Sequence, residues 1–128
     1  MSTELERARQ PKDPGTAQSA EIVATVTRAE HCANFIRVDQ TFVFDLQGRV
    51  LPEKSTANLC LGMLARLQPA LLMAADRAAE GLHPVSPGWH NFDCFDTGVD
   101  YGGMGKVCVR LSLRDAETRE EIVDGSDA

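Results

Sequence analysis

The stretch CLGMLARLQPALLMAADRAAEG, residues 60–81, decides the fold. Cys60, Met63, Leu64, Leu67, Leu71, Ala74, Ala75 and Ala78 recur three or four apart, the spacing that lays one apolar stripe along a helix. Ser55, Thr56 and Asn58 just ahead offer N-cap oxygens, and Gly81 stands where a left-handed residue closes a helix. From Asn58 to Gly81 the segment spans about 24 residues, on the order of 36 Å if straight. Pro69 falls inside it, and proline lacks the amide hydrogen and crowds the preceding turn. The pattern therefore predicts one long Pro-kinked helix, or two consecutive helices meeting near Gln68; the stripe keeps its phase across Pro69, which favours the kink.

Strands flank this helix. From Glu21 to Arg28, Ile22, Ala24 and Val26 alternate with Val23, Thr25 and Thr27, a β-branched run of period two. A second strand is expected over Thr41–Leu46, with Phe42, Phe44 and Leu46 on one face and a turn at Gln47-Gly48. Trp89–Phe95 reads as a third extended segment, and Val107, Val109, Leu111 and Leu113 alternate strictly with polar partners in a fourth. The expected architecture is α+β: a small, mostly antiparallel sheet of about four strands packed against the helix. Residues 1–20 read as a flexible polar tail, 21–114 as the single domain and 115–128 as an acidic tail.

Apolar residues make up 43% of the 128, but aromatic residues only 5%, so the core is aliphatic and thin. The net charge of −6 is concentrated at the end: from Arg114 onward six acids face two arginines. Without clustered Lys and Arg the chain is a poor match for nucleic acid. Arg66, Gln68 and Pro69 interrupt its longest apolar stretch, which argues against a membrane span. The N-terminus lacks the apolar run of a secretion signal, so the four cysteines read as reduced thiols and the cytoplasm as the expected location.

Several strings resemble chemistry. Asp96-Thr97-Gly98 is how aspartic proteases present a carboxylate, but the flap and the following strand of such enzymes have no room in the 30 residues left. Gly102-Gly103-Met104-Gly105-Lys106 has the look of a phosphate loop, yet Val107 stands where Ser or Thr is required and a strand follows instead of a helix. A Cys/His site is the more serious reading, since thiolate and imidazole suit zinc or iron. No Cys-x-x-Cys pair exists, and His90 and Cys94 in extended chain lie about 13 Å apart. The site would draw on distant positions: His31 or Cys32 after the first strand, Cys60 at the helix start, Cys94 before the Gly-rich loop, and His90. Cys108, opposite Val107 and Val109, fits this set least, and buried cysteine also serves as a small hydrophobe. A small enzyme with a reactive Cys would instead need Cys94 beside His90 or His31, with Asp96 or Asp100 in the same pocket.

The order Cys32, then Val38-Asp39-Gln40-Thr41-Phe42, then Cys60 opening an apolar helix that contains Pro69, then Cys94-Phe95-Asp96 before a closing strand resembles a family of short, uncharacterised bacterial α+β proteins. The likeness spans about residues 22–113, and it implies a fold better than a function. The family pattern carries Pro after the second and third cysteines, where this chain has Leu61 and Phe95, and it lacks the Gly-rich insertion.

The leading expectation is a small non-catalytic accessory subunit of a larger bacterial multisubunit metabolic enzyme, a carboxylase or hydrolase complex. Larger protein subunits would then cover the Gly-rich loop, with Trp89, Tyr101, Gly102, Gly103 and Met104 as contact residues. The alternatives are a Cys/His metal- or small-ligand-binding module and the small stand-alone enzyme.

Overall fold

In the computed structural model, residues 20–94 and 105–123 are described. The chain forms β1 (Ala20–Glu30), β2 (Thr41–Phe44), a 3-10 turn (Pro52–Lys54), α1 (Leu61–Ala79), β3 (Asn91–Asp93), β4 (Lys106–Asp115) and β5 (Glu121–Ile122). The sheet is antiparallel, in the order β2-β1-β4-β3, with β5 also pairing β4. This is the expected α+β architecture, with five strands among the described residues.

Register follows from the alternation. Ile22, Ala24 and Val26 sit opposite Leu113, Leu111 and Val109, and Ile22 and Ala24 also face Phe44 and Phe42. All of them point to the side where Met63, Leu67, Ala70, Leu71 and Ala74 of α1 pack, forming one continuous core. A register shift between Val26 and Arg28 re-phases the end of β1, so that Ala29 pairs with Val107 and the chain leaves the sheet beside Gly105.

On the opposite face Glu21 is only 2% exposed and would be costly to bury unpaired. Lys54 Nζ meets one of its carboxylate oxygens at 2.9 Å and Arg114 Nε the other at 2.7 Å, joining β1, β4 and the 3-10 turn.

α1 is one continuous helix through Pro69, and it starts at Leu61, later than the cap oxygens suggest. Those oxygens are used elsewhere. Ser55 Oγ accepts from Val43 N at 2.9 Å and Thr56 Oγ1 from Thr41 N at 2.8 Å, while Leu51 N donates to Val43 O. Together they satisfy the outer edge of β2, which would otherwise be open for pairing. Cys60 becomes the N-cap and makes no capping bond through its side chain. The C-terminus behaves as expected: Gly81 has φ +76°, its N–H reaches Ala78 O, and Leu82 N–H reaches Arg77 O, which completes a Schellman motif.

Three further segments differ from the sequence expectation. β2 stops at Phe44 because Asp45 turns the chain, accepting from Gln47 N and Arg49 N and pairing with Arg49 at 2.6 Å. The third strand is regular only over Asn91–Asp93. The segment from Asp115, expected as a tail, folds back: Asp115 caps a turn at Glu117 and Thr118, and Glu121 and Ile122 pair with Arg114 and Leu113. Residues 1–19, 95–104 and 124–128 lie outside the described residues.

Candidate functional site: a thiol-lined cavity

Beyond the end of β1 the loop 31–40 leads to β2. His31 (φ 52°), Phe35 (φ 59°) and Asp39 (φ 72°) hold left-handed conformations there. Such conformations come readily to Asn, Asp and His and at a cost to Phe. Phe35 is nevertheless 75% exposed, so no packing of its ring repays the strain.

Between this loop, the start of α1 and the start of β4 lies a cavity of about 180 Å³. Cys32 enters it from the loop, Cys60 from the helix N-cap, and Cys94 from the end of β3. Met63 adds a fourth sulfur from the first turn of α1, and Ala33, Ile36 and Val107 complete mostly apolar walls. All four cysteines are free and half-buried. Three chain segments separated by tens of residues thus place three thiols around one space.

The sulfurs are held by donors. Asn34 Nδ2 donates to Cys60 Sγ at 3.1 Å, and Asn34 O accepts from Asn58 Nδ2 at 2.8 Å, so the loop is tied to the helix start twice. Val107 N donates to Cys94 Sγ at 3.3 Å, while Cys94 N donates to Val107 O at 2.9 Å. Two glycines make the space. At Gly105 a Cβ would collide with the carbonyl oxygens of Glu30 and His31, so only glycine lets β4 begin this close to β1. At Gly62 a Cβ would meet Cys60 Sγ at 3.8 Å, an ordinary contact, so glycine there leaves volume on the cavity wall.

Lys106 stands at the cavity wall, its Nζ 2.7 Å from Asp93, which also takes Arg66 Nη2 at 3.2 Å. The hydrogen bond from Lys106, reinforced by Arg66 against the opposing effect of burial, holds the Asp93 carboxyl below the usual carboxylate range. The same hydrogen bond raises the Lys106 ammonium above its ordinary value. Cys108, paired with Asp93 across β3 and β4, is not among the residues lining the cavity, and burial pushes its thiol up.

The histidine candidates divide between two spaces. His31 lines the thiol cavity, but His90 does not: it borders a separate space of about 220 Å³ between β3 and β5, with Arg110, Ser112 and Glu121. His90 Nδ1 is buried there without a hydrogen-bond partner among the described residues. The Cys94–His90 pairing is therefore not assembled. Trp89 packs edge-on against Phe92, ring centroids 5.1 Å apart, and keeps 41% of its surface exposed. Asp96, Asp100, Tyr101, Gly102, Gly103 and Met104 lie outside the described residues. Asn34 and Gly62 at the cavity have no sequence signal of their own, being typical of a loop and a helix, while Met63 reads from sequence only as core stripe and Lys106 only as part of the phosphate-loop-like string.

Among the described residues no three of His, Cys, Asp and Glu are grouped closely enough to hold a metal ion as they stand. No described helix is long and apolar enough to cross a membrane. Comparison with protein-family models, with curated proteins and with solved structures returned no match. Fold and site define a small α+β protein with a thiol-lined cavity, whose three cysteines stand before β2, at the helix N-cap and after β3.

Proposed function

We propose that this chain is a small-ligand-binding module whose site is the cavity between Cys32, Cys60 and Cys94. The observation that carries this reading is the convergence of three free thiols, from three separate segments, on one space. Its size is that of a binding site for a compact molecule, since an apolar cavity of about 150 Å³ accepts benzene. The donor set is soft: thiols, a thioether and apolar walls, with no carboxylate among the described lining residues. Strained, exposed Phe35, between the lining residues Asn34 and Ile36, also supports the reading, because strain persists at positions kept for something other than stability. Native mass spectrometry of the chain, purified without oxygen or chelator, tests it. A mass above that of the 13.9 kDa polypeptide is expected, lost when Cys60 is replaced by Leu; the bare polypeptide mass in both contradicts it.

A second reading, the accessory subunit of a larger cytoplasmic enzyme complex, is favoured by a different observation. Leu61 is 81% exposed and Leu72 64%, both on α1, apolar surface that a partner subunit would cover. Sizing the protein from its native host tests it: a species well above the monomer supports the subunit role, and a lone monomer removes it.

A further inference from the structure

We infer that the ligand of this cavity is a compact, uncharged, apolar molecule of about six to eight non-hydrogen atoms, a small aromatic hydrocarbon ring being the shape that fits; the inference rests on the ligand-module reading above and names the chemical class of its occupant. Volume sets the size. Benzene, with its six carbons, enters an apolar cavity of about 150 Å³, and this one measures about 180 Å³.

Burial and hydrogen bonding set the chemistry. Ile36, Met63 and Val107, none more than 4% exposed, form the floor, whereas His31 and Asn34 are exposed and belong to the rim. The polar groups beside the sulfurs are engaged within the protein: Asn34 Nδ2 donates to Cys60 Sγ, Val107 N to Cys94 Sγ, and Cys94 N to Val107 O. The Lys106 ammonium stands 2.7 Å from the Asp93 carboxylate, so an anionic ligand would have to compete with an ion pair already formed. A cationic ligand meets no carboxylate among the described lining residues. Either ion would give up water without gaining new partners, a cost that hydrocarbon does not bear. An apolar molecule gains by the same transfer. The shortage of free partners also tells against ordered water, which needs two to four of them. An aromatic ring suits the floor because the thioether of Met63 makes favourable contacts with ring edges.

The test is titration of the isotope-labelled full chain, under reducing conditions, with toluene, and with benzoate and benzylammonium as probes that carry the same ring and opposite charges; amide NMR shifts report binding. Benzoate is the sharper rival, because the N-terminus of α1 and Lys106 would favour it if the site took anions. Saturable toluene binding is expected, with shifts centred on Asn34, Gly62 and Val107 and an affinity at least about tenfold above that for either ion. Gly62→Ala, which narrows the wall, should weaken toluene binding severalfold, Cys60→Leu should abolish it, and Cys108→Ser should leave it unchanged. Gly62→Ala keeps the test independent of whether Cys60→Leu folds. Either ion binding as tightly as toluene, shifts that rise without saturation or centre on Leu72 and the outer face of α1, or equal toluene affinity in wild type and Gly62→Ala overturns the inference. A chain that fails to bind toluene but carries a mass adduct lost in Cys60→Leu overturns it while sparing the ligand-module reading. A chain that binds no toluene and carries no adduct overturns both.

Discussion

Asn34 donates its side-chain amide to Cys60 Sγ across 3.1 Å, and Asn58 returns a hydrogen bond to the Asn34 carbonyl. These two hydrogen bonds join the loop after β1 to the start of α1, the two segments that bring Cys32 and Cys60 to the same cavity. Everything proposed for the site depends on such ties between elements that are distant in sequence.

Gly62 gives the clearest separation of stability from function. It lies in the first turn of α1, where alanine is the better helix former, and its missing Cβ has only Cys60 Sγ nearby, at 3.8 Å. Gly62→Ala should therefore stabilise the fold by about 0.5 kcal/mol while narrowing the cavity. Urea denaturation reads the first effect and ligand content by native mass spectrometry the second. Loss of stability would mean the wall is already full.

Phe35 predicts a similar division. With φ 59° and a ring 75% exposed, it costs the fold more than it contributes. Phe35→Gly should raise stability by about 1 kcal/mol, the order of the left-handed penalty. A destabilised variant would show that the ring packs against something in solution.

Gly105 allows no such freedom. Any side chain there meets the backbone of Glu30 and His31, which have no rotamers to give. Gly105→Ala should cost at least about 2 kcal/mol, in the range of an overpacked core, and disturb the β1–β4 junction beside the cavity. A chemical-denaturation midpoint equal to that of the wild type would contradict the close approach.

The Asp93–Lys106 pair fixes a pH dependence. The Asp93 carboxyl is held low, chiefly by the Lys106 hydrogen bond, so its contribution is present above the unfolded value of about 3.9 and is lost as pH falls through the folded one. Lys106 is raised by the same bond, so its share is present below about 10.4 and is lost as pH rises through its folded value. Asp93→Asn should flatten the acid limb of the stability profile measured from pH 6 down to about 3. Parallel acid limbs for wild type and variant would show that the pair contributes nothing.

Much of the fold was legible in the sequence because it rests on periodicity. The stripe from Met63 to Ala74 and the strict alternation of Val107 to Leu113 each bury one face, and those faces meet. The helix start was misplaced for a local reason: Ser55 and Thr56 have cap chemistry, but the open edge of β2 takes their oxygens first. β5 was missed because Glu121 and Ile122 form a two-residue acidic-apolar pair with no period to read. At the site, Cys32, Cys60 and Cys94 were recognisable as distant candidates, but the cavity itself depends on tertiary geometry. The shift after Val26, the left-handed loop and the close approach at Gly105 create it, and none of these appears as a sequence motif. His90 illustrates the converse: near Cys94 in sequence, it belongs to a different space.

The central claim is that three cysteine sulfurs surround one cavity and the fourth does not. A crystal structure of anaerobically prepared protein, with anomalous scattering recorded for sulfur, measures this directly. The sulfurs of Cys32, Cys60 and Cys94 are expected around a single cavity, with Cys108 outside it. Cys94 or Cys32 turned to solvent, or a collapsed space between them, would contradict it.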